Sequence, residues 1–379
     1  MAITGLERTY DIYSDREDLE DVIAMISPTE TPLFSSLNRT KVTNVKHEWL
    51  EDSLAPMTAT IATAVSSDTD TVTVTLSSGH GARFRADSSI SPAIKEVIRV
   101  NEELMLVTDE SSNELTCTRA YQGSSVAAHA VGDIVEILGP VDLEGADAKS
   151  AEAQTRSRVD AYTQYFSDTV QVSSSQEASI AAGMTSEADY QLQQRLKELA
   201  IKVERFMING YESSTGSGAG SASAERMMRG LVERISTNTS DKSSAVFTES
   251  HLETAIKTCF DAGGNPNIIL CNSAQALKIQ DWYKGRIRTE VTNNRGGIKV
   301  NVIESIFASE LAVLVDRWVP QHEVYVLDGS RLSLGVLFPF RMFELAKSGG
   351  STKLFVEGEY TVILKNESAH YRIYGLATS

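Results

Sequence analysis

The sequence predicts an α+β protein built from several modules, and three observations carry that prediction. Residues 59–140 have a strand-and-turn texture, a single long helical stripe begins near Ser186, and helical and strand patterns alternate from about Glu225 to Phe338. With 379 residues the chain exceeds what one hydrophobic core usually supports, so two or three subdomains are expected.

Residues 1–56 cannot build a core of their own, yet they contain Val22, Ile23, Met25, Ile26, Leu33 and Phe34. The stretch "DREDLEDVIAMI" reads as a short acidic amphipathic turn. Pro28 and Pro32 push the residues before them out of the helical region, so a helix is expected to end near Ile26 and the chain to continue extended. "KVTNVKHEWLEDSLA" then reads as an extended piece closed by Pro56.

In "TVTVTL" (71–76), Val72, Val74 and Leu76 alternate with threonines, the pattern of a half-buried strand. "AIKEVIRV", "ELMLV", "ELTCTRAY" and "DIVEIL" follow at similar spacing, separated by Asn, Asp, Ser and Gly turns. Short strands in that rhythm predict a small antiparallel barrel or sandwich. Residues 141–184 are polar and rich in Ser and Ala, with Tyr162, Tyr165 and Phe166 clustered beside a strand-like "TVQVSSS". Too poor in apolar residues to fold alone, this stretch is expected to need a partner.

Ser186 with Asp189 marks a helix start, and the helix is expected to run to about Tyr211. Leu192, Leu196, Leu199, Val203, Phe206 and Gly210 form its apolar stripe, while Arg195, Lys197, Glu198, Lys202, Glu204 and Arg205 occupy much of the rest. "ESSTGSGAGSASAE" follows. It lacks G-x-x-x-x-G-K-[ST] and a preceding strand, so it reads as a surface loop and not a phosphate cradle.

"AERMMRGLVERI" then reads as an amphipathic helix. "ESHLETAIKTCFDAGG" is a second helix, with a capping box at Ser250 and Glu253 and a glycine stop. "NIILCN" is a strand, "SAQALKIQDWYK" a helix, and "KVNVIES", "LAVLVD" and "EVYVLD" further strands, together an α/β arrangement. The tail "KLFVEGEYTVILKNESAHYRIYGLA" reads as two strands joined by a turn at Asn366–Ser368, a hairpin returning to a sheet begun earlier.

Composition excludes several functions. The formal charge of −16 opposes a phosphate-neutralising surface, and the basic set Lys284, Arg286, Arg288 and Arg295 is interspersed with Asp281 and Glu290. Contact with DNA is therefore expected to be weak and non-specific. No run is long and apolar enough to span a membrane, and no signal peptide is recognised, so no membrane partner is expected.

Cys117, Cys259 and Cys271 form no C-x-x-C pair and sit among apolar neighbours, as core residues do. His47 and His322 each precede a glutamate, but neither has a histidine at the fourth position after it, so no zinc-protease motif exists. No G-x-S-x-G elbow or calcium loop is present. Neither catalytic residues, nor a metal, nor a cofactor is expected.

Four segments in order, "REDLEDVIAMISPTETPLFSSL", "HEWLEDSLA", "ELTCTRAYQGSSVAAHAVGDIVEILGP" and "GEYTVILKNESAHYRIYGL", make the chain resemble the major capsid (major head) proteins of tailed bacteriophages. The nearer resemblance is to the branch of the Hong Kong 97-type fold with a β module inserted by its extended loop. It implies an N-terminal arm at 1–56, the inserted β module at 57–140 and an extended-loop return at 141–184. It further implies a peripheral domain with its spine helix at 185–239, an axial α/β domain at 240–338 and a peripheral return hairpin at 339–379.

The function implied is self-assembly, as pentamers and hexamers, into the icosahedral DNA-containing head. The alternative is a decoration or tail-associated virion protein whose β module binds a ligand. Implied partners are further copies of the chain, a separate scaffolding protein, a portal protein and a decoration protein, with assembly in the host bacterial cytoplasm. An arm with apolar anchors and no core is stable only on another surface, and the simplest host is a neighbouring copy. Val22, Ile26, Leu33, Phe34, Trp49, Tyr162, Tyr165 and Phe166 are accordingly the expected inter-subunit contacts.

Overall fold

A computed structural model describes residues 30–378, apart from 55, 68–69, 90–92, 146, 149–155, 180–185, 213–219, 221–224, 283–287, 290–300, 304, 309 and 348. The chain divides into two compact units, residues 52–157 and the remainder. It opens with a five-residue helix, α1 (Pro32–Ser36), then β1 (Asn38–Lys41) and β2 (Lys46–Glu51). The sequence pointed to extended chain throughout. A proline at the first helical position loses no hydrogen bond, however, and Pro32 starts α1 there.

The unit 52–157 holds β3 (Thr58–Thr60), β4 (Thr71–Thr75), β5 (Glu96–Val100), β6 (Glu103–Ser111), β7 (Glu114–Thr118) and β8 (Ile134–Pro140). These pair antiparallel in the order β3-β8-β5-β6-β7-β4, and an Ile61–Leu76 bridge joins the two ends, so the sheet closes into a small barrel. Ile98, Met105, Leu115, Cys117 and Val135 fill it. Beside this apolar core lies a buried ionic knot. Arg119 grips Glu103 with two guanidinium nitrogens, at 2.9 and 2.6 Å, and His129 lies 2.9 Å from the same carboxylate. Backbone N–H groups of Ala120 and Ala127 also donate to it, which ties down the strained turn where Ala120 and Gln122 have positive φ.

Beyond the barrel come β9 (Ser157–Tyr162), β10 (Gln164–Ser173), α2 (Ser174–Ala178), α3 (Glu187–Asn209), α4 (Leu231–Arg234), β11 (Thr239–Ala245) and α5 (Glu249–Asp261). The chain ends with β12 (Ile268–Cys271), α6 (Ser273–Trp282), β13 (Arg288–Thr289), β14 (Asn301–Ile303), β15 (Leu311–Val315), β16 (Val324–Leu327), β17 (Leu332–Glu344), β18 (Ser351–Leu364) and β19 (Tyr371–Leu376).

The expected spine is α3, 23 residues and about 35 Å long, capped by the Ser186 hydroxyl accepting from the Asp189 N–H. Its buried face is Leu199, Val203, Met207 and Ile208, with Leu192, Leu196 and Phe206 partly buried beside them. Each fully buried side chain contributes roughly 1.5–3 kcal/mol. They pack on a four-stranded sheet ordered β1-β17-β18-β10, where Phe166, Val356, Tyr360 and Val362 meet them. A seven-stranded mixed sheet, β11-β19-β16-β12-β15-β14-β13, carries α5 and α6 around its own cluster of Leu252, Ile269, Val324 and Ile373.

Further expectations change. "AERMMRGLVERI" is not one helix: only Leu231–Arg234 is helical. Met228 instead donates its N–H to the Gln164 side chain, and Arg226 reaches the Thr163 carbonyl and Glu359, contacts that outweigh a weak local propensity. The capping box at Ser250 does not form, because α5 begins two residues earlier than that box requires, at Glu249, with Thr248 as its N-cap. Its glycine stop does form: Gly263 is left-handed, and Gly263 and Gly264 donate to the Phe260 and Cys259 carbonyls.

Finally, the last two strands are no hairpin. β18 pairs with β17, whereas β19 lies between β11 and β16 in the other sheet. Left-handed Asn366 turns the chain, and Glu367 holds the turn by accepting from the N–H groups of Ser236 and Thr237. The boundary expected after 338 therefore falls inside β17.

Candidate assembly site

The root of the N-terminal segment is fastened to the spine. Pro32 to Ser36 form less than two turns, too short for stability alone, and the free N–H groups at the start of α1 need an acceptor. Glu204 of α3 supplies it: one carboxyl oxygen accepts from the Leu33 N–H at 2.7 Å, the other from the Phe34 N–H at 2.6 Å. Glu204 is fully buried, although its charge had placed it with the polar face. Asp316, just past β15, is also fully buried and neighbours Glu204. Burial first, then the neighbouring Asp316 charge, push the Glu204 pKa up to about 9, and burial raises Asp316 as well. The two acids share a proton at neutral pH.

The loop after Asp316 closes the clasp. Asp316 accepts from the Trp318 N–H at 2.9 Å, the Trp318 indole donates to the Glu30 carbonyl at 3.2 Å, and Arg317 lies 3.6 Å from the Glu30 carboxylate. α3 thus holds residues 30–34 from one side and the 316–318 loop from another.

The expected contact residues separate into three groups. Val22 and Ile26 lie outside the described residues. Leu33 and Phe166 are buried in their own subunit's core, at 0 and 5% exposure, so neither side chain offers a surface to a neighbour. Phe34 is half-buried beside them, edge-on to Tyr360 at 5.7 Å with Arg39 over its ring. Trp49, Tyr162 and Tyr165 retain exposed surface. The Trp49 indole donates to Glu51 at 2.7 Å, Lys46 sits over Tyr162, and Tyr165 donates its hydroxyl to Glu357 at 2.6 Å. Among the described residues singled out from sequence, these three are on the subunit surface together with part of Phe34.

The three cysteines are fully buried, and burial pushes each thiol up to about 12. Among the described residues no group of three His, Cys, Asp or Glu is placed to hold a metal ion, and no helix is long and apolar enough to cross a membrane. Most of the Gly/Ser tract and of the basic set around Lys284 lies outside the described residues.

Comparison with known proteins places these features in a class, that of structural proteins which form the virion shell. The chain belongs to the SU10 major capsid protein family, whose profile matches residues 2–377. It is a major capsid protein of a phage head, a structural protein that associates with copies of itself and not an enzyme. That match sets aside the decoration or tail-protein alternative. No curated protein sequence matches the chain.

Solved structures similar to it include the following three. The capsid of a native GTA particle is 9% identical, with 96% of each chain covered and a TM-score of 0.49. Mycobacterium phage Adephagia is 11% identical, with 98% of each chain covered and a TM-score of 0.48. The holo-SrpI encapsulin complex of Synechococcus elongatus is 10% identical, covering 59% of this chain and 77% of its own, with a TM-score of 0.45.

Proposed function

We propose that the subunit builds an icosahedral head from pentamers and hexamers, and that its N-terminal arm is the element linking one copy to the next. The observation that carries this reading is the fastening of residues 30–34 by Glu204 and the 316–318 loop. A fixed root gives the preceding residues a defined point of departure, and Val22, Ile23, Met25 and Ile26 give them apolar anchors. Docking on a neighbour is a heterologous, head-to-tail contact, and such contacts close into rings when the rotation permits. Trp49, Tyr162 and Tyr165 provide a second contact surface on β2, β9 and β10. Several such contacts per subunit make a durable shell from individually weak pairs.

In this reading assembly takes place in the host bacterial cytoplasm, with a separate scaffolding protein, a portal and a decoration protein as further partners. Packaged DNA meets a wall of net charge −16 per subunit, which repels phosphates and lets the DNA slide.

Deleting residues 1–28 tests the arm while sparing the clasp at Glu30, Leu33 and Phe34. The truncated chain is expected to stay folded and soluble, with shells absent by electron microscopy and the mass of free subunits or small rings by light scattering. Normal shells from the truncated chain would refute the arm's role.

A further inference from the structure

We infer that the outer edge of β10 receives residues 1–14 of a neighbouring copy as an added β-strand. This deepens the reading that the arm docks in trans, and rests on it. A strand edge presents a row of unpaired N–H and C=O groups, and proteins normally blunt such edges with prolines, bulges, charges or closure. The other edges described here are blunted, that of β1 by a length of four residues and by Arg39 and Lys41. The barrel closes on itself through Ile61 and Leu76. Past its pairing with β1, which ends at Val336, β17 carries Pro339 and two breaks in register. β11 has a bulge between Asp241 and Ala245, with Ser243 and Ser244 at positive φ. β13 is two residues long, and the β2–β9 ribbon is laced with Lys46, Glu48, Arg158 and Asp160.

β10 has none of these devices. All ten residues from Gln164 to Ser173 pair with β18 in unbroken register, without a proline and with Asp168 as the single charge. Among the described residues, no strand pairs with its other side. A groove of about 490 Å³ runs there, between Thr169–Ser173 and the first turns of α3 at Glu187, Gln191 and Arg195. Its lining is largely polar, with Thr169, Gln171, Ser173, Gln176, Glu187 and Arg195 among the residues that form it.

The occupant follows from length and pattern. Residues 1–29 precede the clasped root at Glu30, and residues 15–30 span up to about 50 Å when extended, enough to leave one subunit. In the first stretch Leu6, Arg8, Tyr10 and Ile12 alternate with Glu7, Thr9, Asp11 and Tyr13. β10 alternates likewise, with Phe166, Val170 and Val172 buried and Ser167, Thr169 and Gln171 exposed. A strand of this pattern continues both faces of the sheet, and main-chain hydrogen bonds supply the affinity.

Co-assembly of a Thr9→Cys chain with a Gln171→Cys chain, followed by a short bis-maleimide, tests the contact in intact shells. The native cysteines are fully buried and do not compete. The expected result is a cross-linked dimer on a denaturing gel, absent when Glu253→Cys on α5 replaces Gln171→Cys. Mixed shells without that dimer would overturn the β10 site. If deletion of residues 1–28 still abolished shells in that case, the arm would remain necessary and only its docking site would be wrong.

Discussion

Glu204 and Asp316 are two buried carboxyl groups close enough to shift each other's titration, and the first of them accepts from both the Leu33 and Phe34 N–H groups. A buried acid pair is stable only while it holds a proton, so the arm root is tied to the subunit by a protonation state.

The sign of its pH dependence follows. The folded pKa of Glu204 is raised, from 4.5 to about 9, so its contribution is complete below about 4.5 and is lost as pH rises through 9. Urea midpoints are expected to fall between pH 5 and 9. Asp316→Asn keeps an acceptor for the Trp318 N–H and gives Glu204 a donor, so it should flatten that fall. An unchanged slope in Asp316→Asn would exclude this pair as its source.

His370 works in the opposite direction. Burial drives its pKa down to about 4, and its Nδ1 accepts from the Asp328 N–H at 3.2 Å, as a neutral ring must. The unfolded chain takes up this proton first, so stability present above pH 6.5 is lost as pH falls towards 4. His370→Asn retains a short acceptor without the basic nitrogen. Its melting temperature is expected to start lower at pH 7 but to drop less between pH 6.5 and 4 than that of the parent chain.

In the barrel, burial works to raise the Glu103 pKa, but Arg119, the Ala127 N–H, His129 and the Ala120 N–H outweigh it and hold the group at about 2. Arg119→Met leaves that charge buried without its main partner, at a cost of about 3–5 kcal/mol. Hydrogen exchange should show the loss of protection concentrated in residues 58–140, and protection equal to the parent's there would contradict the assignment.

Gly230 passes so close to Gly210 that a Cβ on it would lie 2.5 Å from the Gly210 nitrogen and 2.7 Å from the Phe206 carbonyl oxygen. Both are backbone atoms that cannot step aside. Gly230→Ala should destabilise by roughly 1–3 kcal/mol in chemical denaturation, whereas Gly350→Ala, with open space around its Cβ, should be near neutral.

The elements with strict periodicity were legible from sequence: the α3 stripe, "TVTVTL", "NIILCN" and "EVYVLD" all take the form their patterns imply. What pattern could not show was long-range polar pairing. Glu204 looked like one more surface charge, yet it falls on the four-residue row Leu196–Ala200–Glu204–Ile208, and an acid in that row was the available signal. The stretch 225–230 has helical spacing but is drawn out of a helix by Gln164 and Glu359, partners more than 60 residues away. The sheet switch at Asn366 was hidden because a left-handed turn residue suits a hairpin and a crossover equally well.

Within the barrel, the first strand and the last are neighbours: Thr58 of β3 faces Glu136 of β8, and the Ile137 N–H donates to the Met57 carbonyl. Entry and exit are therefore one strand spacing apart, about 4.8 Å. The rest of the subunit keeps its own cores, and needs from residues 52–157 only that the chain return near where it left. The segment is thus a cassette: replaced by a short turn or by a foreign domain with adjacent termini, it is expected to leave both cores of the remaining unit folded.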